Sequence, residues 1–459
     1  MTEQPRLIPP RITRAARGFG RWPGAFSTRF FLALIVGLVW LGPAWWEPRF
    51  AYAMMAWDVL VAVLWWNDWW RLPRPEEIDI ARVWSAPVAL ANDATVCLEV
   101  TNRGRVAIDC NIEDEVPPPL RTLPPAVPAR AAPGASAQAH YTIFPRARGD
   151  HSLGRVFIRY RSGLQFAERR AMADLRQTVR VYPNLQEAKK LSLYLIRSRQ
   201  IELEKRLQHR PERGREFENL RDYREGDDLR DICWTASARR GKLITKVYRA
   251  ERSQTVQVVL DAGRLMLARL GDLTKLDYAA TAVLSLAQVA IAGGDMVGLL
   301  AYGRDVQARM APARGASHLR EMLDRLALVH GEFLEADHSR AADTLLSRQR
   351  RRSLVVWITD LAETAGTPDV IESASRLAMH HLVLFVALGQ PDLENLLSRR
   401  PETSTGMYRY VAGLELVHRR EVLLRRLRQQ GALALEIEPE RLATGLVNQY
   451  LQVKERSLL

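Results

Sequence analysis

Two stretches decide the fold: Val256-Gln257-Val258-Val259-Leu260-Asp261 and Leu354-Val355-Val356-Trp357-Ile358-Thr359-Asp360. Each is a short apolar run that ends in an acid. Runs this uniformly apolar, too short for a helix, predict strands buried on both faces, the signature of a parallel sheet. Helical patterns separate them from further strands. Leu276 to Ala292 is apolar and closes at Gly293-Gly294, His318 to Val329 and Ile371 to Met379 are amphipathic, and a basic helix covers roughly Tyr410 to Gln430. Met296 to Tyr302, Leu382 to Leu388 and Ala432 to Ile437 read as strands, and a last helix follows Pro439. Residues 255–459 are therefore expected to form a mainly parallel sheet with helices on both faces. Ligands of such sheets meet the carboxyl ends of the strands, where Asp261 and Asp360 stand.

Upstream the period shortens. Residues 75–185 hold six or seven short strands separated by Pro117-Pro118-Pro119, Pro124-Pro125, Pro133-Gly134 and Ser162-Gly163. Without a helical stretch, this predicts an all-β immunoglobulin-like sandwich, a spacer or protein-contact module. Residues 186–254 form a charged linker helix and an arginine-rich segment.

Further upstream the chain turns apolar. Phe30 to Trp46 carries no charge, and Phe50 to Trp66 carries only Asp58. Each run has seventeen residues, at the short end of the ~17–25 that span a bilayer. Eight of the twelve tryptophans lie between residues 40 and 70, mostly at the ends of the runs, where an amphipathic ring suits the headgroup boundary. Residues 30–70 thus predict a two-helix transmembrane hairpin. Asp58 is either a functional intramembrane acid or a polar residue facing the partner helix. Residues 1–29 hold six arginines against Glu3 and read as a basic tail, and Arg71 and Arg74 follow the second span. The positive-inside rule then places both termini in the cytoplasm.

Composition agrees. The 459 residues carry a formal charge of +14 and are 47% hydrophobic, which excludes a disordered chain. The three cysteines, Cys97, Cys110 and Cys233, cannot close a disulfide framework, and a reducing compartment is expected. No GxxxxGK[ST], GxSxG or HExxH pattern occurs.

The segment Arg213 to Glu251 mixes charge and aromatics too densely for a simple amphipathic helix. Between residues 195 and 253 there are sixteen basic and eleven acidic residues, a mixed ionic surface unsuited to tracking a nucleic-acid backbone. The pattern Glu216-Phe217, Leu220-Arg221-x-Tyr223, Gly226-Asp227, Arg230-x-Ile232-x-Trp234, Ala236-x-Ala238-Arg239 and Glu251 resembles the signature of the domain of unknown function 58 family. The resemblance extends to the membrane spans and the β-rich middle. It implies a von Willebrand factor A-like α/β domain in a protein of the bacterial inner membrane, accessory to a MoxR-type AAA+ ATPase. Three readings of the signature stay open. Arg221, Arg230 and Arg239 form planar forks to Glu216, Asp227 and Glu251 in an internal lattice, with Trp234 packed on the domain, or they contact a protein partner, or they bind phosphate or nucleic acid.

Metal-binding A-type domains use Asp-x-Ser-x-Ser, a loop threonine and a distant aspartate. Here the chain reads Asp261-Ala262-Gly263-Arg264-Leu265, both serines are replaced, and Gly331 to Asp337 has no threonine. Asp360 matches the distant acid. No cofactor is expected, Mg²⁺ included, and Arg264 is expected to stand in as counter-charge to Asp261 or Asp360. The function these features imply is a membrane-anchored, non-enzymatic adaptor that binds proteins. The alternative is a metal-dependent hydrolase or adhesion module using Asp261 and Asp360. The basic helix, with Arg419, Arg420, Arg425, Arg426 and Arg428, is either a docking face for acidic protein or anionic lipid, or a solvated surface. No oligomeric state is implied.

Overall fold

The computed structural model describes residues 7–19, 24–184, 216–224, 229–249, 254–361 and 367–456. The chain divides into two units, Met1–Tyr182 and Pro183–Leu459.

The first unit opens with strands β1 (Ile12–Ala15), β2 (Arg17–Gly18) and β3 (Gly24–Phe26). Helix α1 (Thr28–Gly37) follows, capped by the Ser27 hydroxyl. A 3₁₀ turn at Leu38–Trp40 leads to α2 (Leu41–Ala44), and α3 runs from Arg49 to Arg71. The remaining strands are β4 (Ile78–Trp84), β5 (Ala94–Asn102), β6 (Ile108–Asp114), β7 (Ala126–Ala131), β8 (Ser136–Ile143), β9 (Gly149–Leu153), β10 (Val156–Arg161), β11 (Ala167–Ala173) and β12 (Gln177–Val181). They form an antiparallel sheet β1-β4-β5-β8, a second antiparallel sheet β2-β11-β10-β6-β7 to which β3 adds on β11, and a β9-β12 ribbon. Alternation sets the faces: Val96, Leu98 and Val100 on β5, and Ile108 and Ile112 on β6, are fully buried, while their neighbours are not. The buried Arg82 of β4 links the sheets. Its guanidinium donates to both oxygens of Asp114 on β6 (3.0 and 2.5 Å) and to Leu175 O (2.7 Å). Tyr141 of β8 donates to the same carboxylate (2.6 Å). A pair this dry survives because each partner finds further hydrogen bonds.

The basic tail expected over residues 1–29 is corrected here. Ile12 to Ala15 pair with Arg82 to Asp79 on β4, and β2 and β3 pair with β11. Counting charge hid a short β pattern. The helices are thus inserted into the β-rich unit. Helix α3 has 23 residues and a mean hydropathy of 1.3 over its best window, long and apolar enough to cross a membrane. The first apolar stretch, Thr28–Ala44, is shorter. Phe31, Ile35, Val39, Tyr52, Met55, Val59 and Val63 are exposed, so these helices do not form a soluble core. Trp57 Nε1 donates to Ala33 O (2.8 Å) across the pair. A Cβ at Gly37 would stand 2.6 Å from the Trp57 ring and 3.2 Å from Asp58, which faces the partner helix.

Both ends of the helical insertion are held by one loop, Ser162 to Ala167. Asp68, buried in the last turn of α3, accepts from the Ser162 hydroxyl and from the amides of Phe166 and Ala167 (2.9 Å each). Ser27, at the start of α1, donates its amide to Phe166 O (3.1 Å) and its hydroxyl to Gln165 O. Arg169 donates to Trp69 O (3.0 Å) and stacks over that indole.

In the second unit, β13 (Glu216–Asp222) and β14 (Ile244–Arg249) pair antiparallel around helix α4 (Trp234–Arg240). Then come β15 (Thr255–Asp261), the short pair β16 (Arg269–Leu270) and β17 (Leu273–Thr274), α5 (Lys275–Ala292), β18 (Met296–Tyr302), β19 (Val306–Ala313), α6 (Ala316–Leu328) and α7 (His338–Arg348). The unit ends with β20 (Leu354–Thr359), α8 (Thr367–Ala378), β21 (Leu382–Leu388), α9 (Pro391–Ser398), α10 (Ser404–Gln429), β22 (Leu433–Ile437) and α11 (Leu442–Glu455). The sheet order is β19-β18-β15-β20-β21-β22, parallel except for the edge strand β19. One face packs on α7, α8 and α10 through Leu345, Leu377, Leu424 and Leu427. Helices α5 and α11 pack together, and the buried Asp295 clamps α11 by accepting from Tyr450 and Lys454 (2.6 Å). Among the elements of this sheet domain that escaped the pattern reading are β19, α7 and α9. Strand β19 alternates polar and apolar residues and carries Pro312, as an exposed edge permits.

Candidate functional site

Connections leave β15 toward β18 on one side, while β20 lies on its other side. This is the topological switch point of an open sheet, where a crevice opens at the carboxyl ends of the strands. Asp261 ends β15, and Asp360 follows β20 directly. The two acids are both buried, yet their surroundings differ.

Asp360 is balanced by cations. Lys275 Nζ donates to its Oδ2 (2.7 Å) and Arg420 to its Oδ1 (3.0 Å), and all three side chains are almost fully buried. Lys275 is the first residue of α5, where a positive charge opposes the helix dipole, so the carboxylate must compensate it. Arg420 also donates to Leu388 O. Its Nε lies 2.8 Å from Glu436 Oε1 but off hydrogen-bond alignment, so that approach is a charge contact only. Burial pushes the Glu436 carboxyl up.

Asp261 has neutral neighbours. Oδ1 accepts from the Gly263 amide (2.7 Å) and Oδ2 from the Thr359 hydroxyl (2.5 Å). Burial raises its pKa, against the opposing pull of His338. His338, first residue of α7, is held by Tyr302, whose oxygen lies 2.9 Å from Nδ1 and accepts from Trp357 Nε1 (2.7 Å). Burial keeps the Tyr302 hydroxyl protonated far beyond its ordinary range. An indole donates only, so the tyrosine proton is left for the ring nitrogen, and Nδ1 is the acceptor of a neutral imidazole. Burial likewise lowers the pKa of His338. Asp261, Gly263, Arg264, Glu335 and His338 line a cleft of about 20 Å³, room for one water-sized particle.

Arg264 does not serve as counter-charge to either acid. It is half exposed, its backbone amide is fixed to Leu334 O (2.9 Å), and its guanidinium pairs with Glu335 (3.3 Å) instead of either acid. The cations that do meet Asp360, Lys275 and Arg420, are the residues sequence reasoning missed. Arg420 was grouped with an exposed basic face, yet it lies on the buried side of α10 with Leu423, Leu424 and Leu427. That spacing of three, four and seven was the available signal. Arg419 and Arg425 are exposed and pair with Glu415 and Glu421 one turn back.

The donor set does not suit a hard divalent ion, which wants several oxygen ligands. Both oxygens of Asp360 already accept from cations. A Cβ at Gly263 would lie 2.9 Å from the backbone nitrogen of Ala336, so the loop over the crevice leaves no space for a serine there. That loop is stitched down by Glu332 N to Ala262 O (2.8 Å) and Asp337 N to Gly303 O (2.9 Å).

Of the arginine-rich signature, Glu216 lies on β13, Arg221 sits on the same strand near Asp222 O (3.5 Å), and Tyr223 follows it. Arg230 lies in a 3₁₀ turn and Arg239 is exposed on α4. Gly226, Asp227 and Glu251 lie outside the described residues, and with them much of the expected ion-pair lattice. The expected packing of Trp234 is corrected: it is 68% exposed, whereas Ile232 is buried by its bridge to Thr245. Helix α4 turns only Ser237 inward, where its hydroxyl accepts from Ile244 N (2.9 Å).

Residues 219–399 match the family model described as protein of unknown function DUF58, in agreement with the resemblance read from the signature. No curated protein matches the chain. Among solved structures, the conserved hypothetical protein BatB from Bacteroides thetaiotaomicron is similar over 44% of this chain and 99% of its own, at 15% identity and a TM-score of 0.32. The SpRpn10 VWA domain is similar over 43% of this chain and 94% of its own, at 15% identity and a TM-score of 0.27. Proximal thread matrix protein 1 from the mussel byssus, with a zinc-occupied MIDAS motif, is similar over 42% of this chain and 47% of its own, at 12% identity and a TM-score of 0.28.

Proposed function

We propose that this chain, which carries the DUF58 pattern over residues 219–399, is a membrane-anchored adaptor that binds proteins and performs no chemistry of its own. The observation that carries this reading is the internal neutralisation of Asp360 by Lys275 and Arg420, which removes the acid best placed to serve a metal or a reaction. The second unit is then an A-type recognition head that works without Mg²⁺. The first unit is an immunoglobulin-like sandwich that carries the membrane-anchoring helices.

The anchor reading is supported by the insertion of the helices between strands of one β-rich unit. Strands before and after the helices share sheets, which supports a two-span hairpin with both ends on one side of a membrane. The arginines around those ends put that side in the cytoplasm. A MoxR-type AAA+ ATPase, implied by the family resemblance, is the proposed partner of the head. The full chain, purified in mild detergent from a bacterial inner membrane, should retain such an ATPase in a nucleotide-dependent manner. Recovery that is the same in ATP, in ADP and after Arg221→Ala with the fold intact would count against the adaptor. Tight Mg²⁺ binding abolished by Asp261→Ala, or hydrolytic turnover, would replace it with the metal-dependent alternative.

A further inference from the structure

A broad concavity lies on the first unit, far in sequence from the two acids. It has a volume of about 580 Å³ and sits on the outward face of the sheet made by β10, β6 and β7. Register builds it rung by rung. Arg161 of β10 stands opposite Asp109 of β6, which stands opposite Arg130 of β7, and the next rung places Arg159 beside Asn111. Their neighbours in sequence, Ile158, Tyr160, Cys110 and Ile112, point inward and are buried, so the arginines must point out.

The charges do not cancel. Glu168 of β11 is buried beneath Arg161 (2.7 Å), Arg170 (3.5 Å) and Arg159 (3.7 Å), and Asp109 meets Arg130 (3.4 Å). Four guanidinium groups thus surround two carboxylates. A guanidinium has five donors in a fixed fork, and these contacts occupy only part of each. The forks match the geometry of a phosphate.

Position supplies the second argument. Gln165 lines the concavity and also accepts from Ser27 at the start of α1. Its φ of 60° is a left-handed conformation rare for a side chain of this kind, held where the loop meets the helices. Ser162, next to Arg161, donates to Asp68 at the end of α3. The arginine face therefore begins where the apolar helices end.

We propose that this face, centred on Arg130, Arg159 and Arg161, is a binding site for a phosphate-bearing anion, with an anionic lipid headgroup as the favoured source. The choice of source rests on the anchor reading; the arginine site itself does not. Full chain in neutral detergent is titrated with short-chain phosphatidylglycerol, short-chain phosphatidylcholine and inorganic phosphate. The double variant Arg130→Gln/Arg159→Gln is compared with Arg176→Gln, an exposed control that pairs with Asp174. Phosphatidylglycerol should bind wild type and control alike, bind the double variant about tenfold more weakly, and outcompete phosphatidylcholine. Inorganic phosphate that binds wild type and is lost in the double variant makes a free anion the occupant and keeps the site. Arg130→Lys/Arg159→Lys, with charge kept and the fork lost, should fall between. Equal binding of phosphatidylglycerol and phosphate by wild type and the double variant, or binding of neither by wild type, overturns the site. A chain that stays monodisperse without detergent sinks the anchor reading alone, since the phosphate arm still reads the arginines.

Discussion

Asp360 and Asp261 stand at the ends of adjacent strands and share the same depth of burial, but one is surrounded by cations and the other by neutral donors. The first has become a structural element, since removing it would strand Lys275 and Arg420 inside the fold. Around the second, burial works against the charged form of the carboxylate and of the neighbouring imidazole alike. The lesson is that an acid at a switch point is read by its counter-charges, not by its place in a motif.

The comparison breaks most visibly at Asp360. Asp360→Ala should cost about 3–5 kcal/mol, the usual penalty for orphaning buried partners, and should abolish hydrogen-exchange protection of β20 and the start of α5. Protection equal to wild type would show that the cations find other partners. Gly263→Ser should come next, at about 1–3 kcal/mol, because its Cβ meets the Ala336 backbone. Exchange in the loop from Gly331 to Asp337 reads it, and an unchanged loop would mean the crevice is wider than described.

The third test concerns pH. The pKa of Asp261 is raised above 3.8, so its stabilising contribution is present below that value and is lost as pH rises through the folded value. The pKa of His338 is lowered from 6.5, so its contribution is present above 6.5 and is lost as pH falls through the folded value. Asp261→Asn should leave stability rising with pH up to about 6.5, and His338→Gln should leave it falling as pH increases from about 4. Melting temperatures across that window, each relative to wild type, should slope in opposite directions; parallel slopes would mean the groups do not titrate with folding. The smallest effect belongs to Arg264→Ala, about 0–1 kcal/mol, since it removes only an exposed pair with Glu335. A larger loss would return Arg264 to the role of counter-charge.

The buried strands, their order of appearance and both terminal acids were legible in the sequence because uniform apolar runs admit few alternatives. The counter-charges were not. Arg420 sits in a helix crowded with arginines, and net charge concealed that only this one shares a stripe with Leu423, Leu424 and Leu427. Lys275 follows a capping threonine, a place where lysine is ill suited, and its partner is 85 residues away. The signature's resemblance was legible as a pattern, but pattern did not say that Trp234 is exposed. Strands β1 to β3 were hidden by the arginines between them.

Those early strands have a consequence for how the protein is made. Arg17 pairs with Met172, so the amino-terminal strands leave the ribosome well before their partner exists. At synthesis rates of about 5–20 residues per second, the wait is on the order of 8–30 s. Over that interval an unpaired edge is exposed while the apolar helices emerge and require a destination. Biogenesis of this chain must therefore shelter its first residues until the polypeptide loops back to them.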